Sequence, residues 1–108
     1  MLKSIQLVLA ILMAGSISLA NTSSVDTLVE QIELTEQSRV TCYNSVTINK
    51  DPKAQCQAIC KTFLDEIGNT ENMLADGDFE QRVLDLMDDV VKQWYEFYQE
   101  TATYCGSF

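Results

Sequence analysis

Histidine is absent from this chain, and basic side chains are few: seven Lys and Arg stand against sixteen Asp and Glu, a net charge of −9. Without histidine the commonest general base and metal ligand is missing, so a hydroxyl such as that of Ser45 has no obvious activator. Without clusters of Lys and Arg the chain has no means of gripping nucleic acid or an anionic membrane surface. Internal repeats and low-complexity tracts are also lacking. Past the first twenty residues there is no long apolar run.

That first stretch, "MLKSIQLVLAILMAGSISLA", has one Lys, an apolar run from Ile5 to Ile17, and small residues at Ser18 and Ala20. It reads as a secretory signal peptide, residues 1–20, cleaved before Asn21. Gln6, Gly15, Ser16 and Ser18 interrupt it too often for a membrane span of about 20 apolar residues. No cysteine follows the run to take a lipid. Cleavage would leave 88 of the 108 residues as a single helical domain, 21–108, and the loss of Lys3 would take the net charge from −9 to −10. The expected compartment is extracellular, or periplasmic in a bacterium. Asn21-Thr22-Ser23 is a formal glycosylation acceptor.

A domain this small has only a marginal core, and exported domains of this size add covalent staples. Four cysteines fit that need: too few to replace a core, they reinforce one. The fold class expected is all-α, a disulfide-stapled three-helix bundle with helices at about 24–48, 52–67 and 78–104. In the first, Val25, Leu28, Val29 and Ile32 keep the i, i+3, i+4, i+7 rule, and the stripe resumes at Val40, Tyr43 and Val46 beyond the polar "TEQSR"; Ser23 or Ser24 supplies the cap. Asp51-Pro52 opens the second helix, whose stripe is Cys56, Ile59, Cys60, Phe63 and Ile67, and Gly68 closes it. "NTENMLADG" is then a long link. Asp78 and Gln81 are spaced as a capping box for the third, which carries Phe79, Val83, Met87, Val90, Trp94, Phe97 and Thr101.

Candidate chemistry is sparse. The neighbours Asp88-Asp89 and Asp65-Glu66 point about 100° apart on a helix, so neither is a carboxylate pair facing a substrate. "DGDFE", Asp76 to Glu80, lacks the glycine and the bidentate glutamate of a calcium loop, with Gln81 and Met87 in their places. "CQAIC" has i, i+4 spacing inside a helix, whereas thiol–disulfide oxidoreductases use C-x-x-C at a helix N-terminus. A soft-metal site at C-x-x-x-C would recruit a histidine or methionine, and Met73 and Met87 are far along the chain. No catalytic residue, metal site or cofactor is expected.

The cysteines are therefore staples, and three pairings exist. A Cys56–Cys60 bridge would join adjacent turns of one helix, with Cβ vectors that do not converge. Between the other two, Cys56 and Cys105 lie within their stripes while Cys60 and Cys42 lie nearer a flank, which pairs like with like. Axial level agrees: a turn at "INKD" sets Cys42 level with about residue 59, and a link that carries the chain back before the third helix sets that helix's far end beside Cys56. The expected bridges are Cys42–Cys60 and Cys56–Cys105. This framework, a helical C-x-x-x-C whose second Cys ties to an upstream helix and whose first ties to a late Cys, resembles the inner cysteines of insect odorant-binding proteins. The resemblance implies helices enclosing an apolar cavity for a small ligand. It covers Cys42, Cys56, Cys60 and Cys105; the chain here is shorter, its first spacing is short, and a further cysteine pair of that family is missing.

The third helix has an apolar arc of about 180°, from Leu86, Val90 and Phe97 on one edge to Leu84, Val91, Tyr95 and Ala102 on the other, wider than the ~100° a single contact requires. Either the helix lies between the other two and buries both edges, or one edge docks something. Leu84, Val91, Trp94, Tyr95 and Tyr98 are the candidate binding residues. The function expected is that of a secreted, non-enzymatic helical interaction protein, such as a signal, an effector, a seminal or venom component or an inhibitor. The alternative is a carrier of a small apolar ligand between helices. Its partner is accordingly an unidentified protein or an apolar small molecule, with no nucleic acid and no membrane span in the mature chain.

Overall fold

Seven inward residues of the first helix, Val25, Leu28, Ile32, Thr35, Arg39, Cys42 and Val46, alternate steps of three and four, which keeps one seam facing one neighbour along its length. The computed structural model describes residues 22–108; the expected signal segment 1–20 and Asn21 lie outside the described residues. Among the described residues three helices make up the fold: α1 (Thr22–Thr47), α2 (Lys53–Asp76) and α3 (Gln81–Ala102). The same three-and-four stepping runs through Cys56, Cys60, Phe63, Ile67 and Thr70 of α2, and through Val83, Met87, Val90 and Trp94 of α3. All three seams meet in one core. Among the described residues no helix is long and apolar enough to cross a membrane.

The inward stripe of α1 differs from the expected one. Val40 and Tyr43 are 43% and 44% exposed, while Thr35 and Arg39 of the polar stretch are buried. Cys42 is the reason. Its sulfur must point at α2 to reach Cys60, and each step along the helix turns by about 100°, so Tyr43 is rotated to the flank. Cys42 thus lies on the seam and not at its edge.

Gly68 does not end α2, which continues to Asp76. The stepping passes through it: Thr70 is buried and Leu74 half-buried beyond Ile67. A mid-helix glycine costs about 1 kcal/mol relative to alanine, less than burying the side chains that follow contributes. The expected nine-residue link, up to its final Gly77, is instead the last turns of the helix. Its 24 residues, about 36 Å, carry the chain back to the level of the start of α1. The connection to α3 is the short turn 77–80, where Gly77 N–H donates to Met73 C=O at 2.9 Å and Phe79 is buried. The expected capping box does not form. Glu80, not Asp78, is the N-cap residue of α3, with no side-chain cap, and its carbonyl accepts from Val83 and Leu84 at 3.0 and 3.2 Å. Ser23 and Ser24 fall within α1 rather than ahead of it.

Between α1 and α2 the chain turns at Lys50, in the left-handed region with φ 51°, and Asp51 serves this turn: its N–H donates to Ser45 C=O at 2.9 Å and its carboxylate accepts from Ser45 Oγ at 2.7 Å. Pro52 is the N-cap of α2. At the other terminus α3 gives way to turns at Thr103–Gly106, and Gly106, with φ 76°, lies so close to Lys53 that an added Cβ would stand 2.5 Å from the Lys53 Cβ. This folds the chain's end across the start of α2. The bridges are Cys42–Cys60 and Cys56–Cys105, with Cα separations of 4.6 and 5.5 Å, and no cysteine among the described residues is free.

Candidate functional site

The centre of the α3 arc is spent on the core. Trp94, the chain's one tryptophan, is wholly buried. Its indole N–H donates to Glu36 Oε2 of α1 at 2.8 Å, and the same oxygen accepts from Arg39 Nε at 2.9 Å. The Arg39 guanidinium in turn stands 5.1 Å from the centroid of the Phe97 ring, a cation–π distance. Phe97 packs edge-on to Phe63 at 6.0 Å and tilted against Tyr43 at 6.2 Å. A buried indole N–H and a buried guanidinium each require an acceptor, and Glu36 serves both.

A second polar cluster crosses from α1 to α2. Gln31 Nε2 donates to Glu66 Oε2 at 2.9 Å, Thr35 Oγ1 donates to Gln31 C=O at 2.8 Å, and the hydroxyls of Thr35 and Thr70 meet at 3.1 Å. Among the described residues no buried side-chain nitrogen or oxygen lacks a partner. None of Gln31, Glu36, Arg39, Glu66 or Thr70 was expected as a site. The signal for Glu36 and Arg39 was present: a lone tryptophan destined for the core needs an acceptor, and a Glu and Arg three apart on a facing helix supply one.

The candidate binding residues divide. Trp94 is inside; Leu84, Tyr95 and Tyr98 are half-buried, and Val91 is 9% exposed. Leu84 and Val91 join Leu74 and Ala75 of α2 in lining an open cleft of about 270 Å³ between α2 and α3, with Glu71 and Asp88 also in its lining. Next to it the Tyr95 hydroxyl donates a short hydrogen bond to Glu71 Oε1. That bond, then partial burial, then the negative charge of Glu71 push the Tyr95 phenol up to about 12. Both edges of the arc are thus partly covered, one by α1 and one by α2, with a recess left open on the α2 side. Two other open clefts are lined by Gln37, Ser38, Thr41, Ile59 and Thr62 in one case, and by Gln93, Glu96, Phe97 and Glu100 in the other.

The acidic neighbours weighed for catalysis are each occupied elsewhere. Asp88 pairs with Lys92 and Asp65 with Lys61, Asp89 accepts from Gln93, and Glu66 accepts from Gln31 and Asn69. The sulfurs of Cys56, Cys60 and Cys105 lie within 4.8 Å of one another, and the Cys105 and Cys60 sulfurs are 3.9 Å apart across the two bridges. As disulfides they have no thiolate to offer a metal.

No protein-family model, curated protein or solved structure matches this chain. The functional reading therefore rests on the chemistry of the site itself.

Proposed function

We propose that this protein is a secreted, non-enzymatic interaction module that docks another protein on its helical surface. Two disulfides in so small a domain support an oxidising compartment, as does the signal-like segment 1–20. The observation that carries the docking reading is the α2–α3 cleft, an open groove that brings Leu74, Leu84 and Val91 together with the exposed Glu71 and Asp88. Apolar side chains beside polar, solvent-accessible ones are the anatomy of protein interfaces. The carrier alternative finds less support, since the space between the helices is occupied by wholly buried Leu28, Ile32, Phe63, Ile67, Met87 and Trp94, and the clefts described are open grooves. Native mass spectrometry of the protein isolated from its source tests the choice. The expected spectrum holds the bare disulfide-bonded chain or its complex with another polypeptide. A stoichiometric apolar small molecule would overturn the docking reading in favour of the carrier.

A further inference from the structure

The acidic charge of this chain is not spread evenly. Between Asp65 and Asp89 there are nine carboxylates and a single basic side chain, Arg82. That segment is the second half of α2, the turn 77–80 and the first half of α3, so it forms one end of the bundle. Because α1 runs antiparallel to α2, as the Cys42–Cys60 bridge and the Gln31–Glu66 contact show, Asp26, Glu30 and Glu33 stand at that end as well. Lys50 and Lys53 stand at the other, beside the disulfides. Several of the acidic end's carboxylates are engaged by neutral amides, Asp85 by Gln81 and Asp89 by Gln93, contacts that leave the charge in place.

The cleft of mixed lining, Leu74, Ala75, Leu84 and Val91 with Glu71 and Asp88, opens within this acidic end. Leu84 and Val91 are seven residues apart on α3, two turns or about 10.5 Å, and face Leu74 across the groove. A groove between two helices with apolar positions at that spacing accepts a third amphipathic helix through its own i and i+7 anchors. Asp88 already pairs with Lys92 at 3.2 Å, so Glu71 and the net negative field of the whole end select its charge. We infer that the occupant of this cleft is a cationic amphipathic helical segment of a partner protein, its apolar face on Leu74, Leu84 and Val91 and its Lys or Arg residues toward Glu71 and toward Asp88, where they compete with Lys92. This rests on the docking reading and gives it a place and a partner chemistry. An acidic segment, an anionic membrane or a nucleic acid would be repelled from the same end.

The test titrates the full disulfide-bonded protein with a synthetic Lys/Leu amphipathic helix of about 18 residues, long enough to be helical, and follows backbone amide resonances. Two control peptides are used, the same composition with its amphipathic order scrambled and a Glu/Leu counterpart. Expected are shifts centred on Leu74, Leu84 and Val91 for the cationic helix alone, with affinity falling at least about tenfold as NaCl rises from ~0.05 to ~0.5 M. Leu84→Ser should weaken binding about tenfold with the salt dependence kept. Glu71→Gln with Asp88→Asn should weaken it and flatten the salt dependence, and these exposed changes leave the core intact should Leu84→Ser unfold. Equal binding of the scrambled peptide, with shifts spread over the acidic end, would mean charge attraction without a groove and would overturn the inference. So would binding of the Glu/Leu peptide, or concentration-dependent shifts at the cleft in protein alone, which would make a second copy its occupant. Failure of the cationic helix while a polypeptide complex persists in the native mass spectrum would sink this inference and leave the docking reading standing. A bound small molecule in that spectrum would remove the reading itself.

Discussion

Glu36 Oε2 is the acceptor shared by the Trp94 indole and the Arg39 guanidinium, both inside the bundle. Removing it with Glu36→Ala strands two buried donors, one of them charged, and should cost about 2–4 kcal/mol. Glu36→Gln keeps an acceptor oxygen but loses the charge opposite Arg39, so its cost should be smaller, about 1–2 kcal/mol. Urea denaturation of both variants checks the order; equal stabilities would mean that the carboxylate does not hold this corner. The Tyr95–Glu71 bond makes a prediction in alkali. Because the folded phenol titrates near 12 and not at the ordinary ~10, its contribution to stability is fully present below pH 10 and is lost as pH rises through about 12. Phenolate absorbance should show one late-titrating tyrosine. That transition should vanish in Tyr95→Phe and move back toward ~10 in Glu71→Gln; a late titration that survives in Tyr95→Phe would assign the shift to another residue.

At the scale of the element, the two glycines that bear on helix boundaries behave oppositely. A Cβ at Gly68 would meet nothing within 4 Å, so Gly68→Ala should stabilise α2 by about 0.5–1 kcal/mol through lost chain entropy and better propensity. Gly106 has φ 76° and sits against Lys53, so Gly106→Ala should destabilise by about 1–2 kcal/mol and loosen the Cys56–Cys105 corner. Paired thermal melts check the two signs. The same glycines show what was legible in the chain and what was not. The three helices and both bridges were readable because apolar spacing and axial level are long-range, repeated signals. Gly68 reads as a C-cap stop, yet the burial of Thr70 and Leu74 beyond it outweighs the ~1 kcal/mol that a mid-helix glycine costs. Val40 and Tyr43 misled because they are apolar, while the seam passes through Thr35 and Arg39, polar residues whose burial depends on partners from other helices, Thr70 and Glu66 for one and the Phe97 ring for the other. Such partners are invisible in a one-dimensional pattern. Leu84, Val91 and Tyr95 were legible as a wide arc; that Glu71 and Asp88 would line the recess beside them depended on α2 running on to Asp76, nine residues past the expected end at 67.

Taken whole, the molecule is stapled at one end and charged at the other. The closed loops span 18 residues for Cys42–Cys60 and 49 for Cys56–Cys105, so loop entropy assigns about 3 and about 4 kcal/mol to the bridges. Replacing Cys56 and Cys105 together by Ala should therefore cost about 1 kcal/mol more than replacing Cys42 and Cys60, measured by denaturant midpoint at constant slope. Neither bridge reaches the acidic end. There Val25, Leu28, Ile67, Phe79 and Val83 hold the three helices together by packing, against the mutual repulsion of the carboxylates between Asp65 and Asp89. Repulsion among exposed charges is screened over about 10 Å at 0.1 M salt and about 3 Å at 1 M. Added NaCl should accordingly raise the melting temperature, and amide hydrogen exchange should place the gain in residues around the 77–80 turn, with little change at the disulfide end. Asp85→Asn together with Asp89→Asn, which keeps the side-chain shapes and removes two of the charges, should reproduce part of the gain at low salt and blunt the response to more. A melting temperature indifferent to salt, or a gain spread evenly from the turn to the bridges, would show that the acidic end is not where this fold opens first.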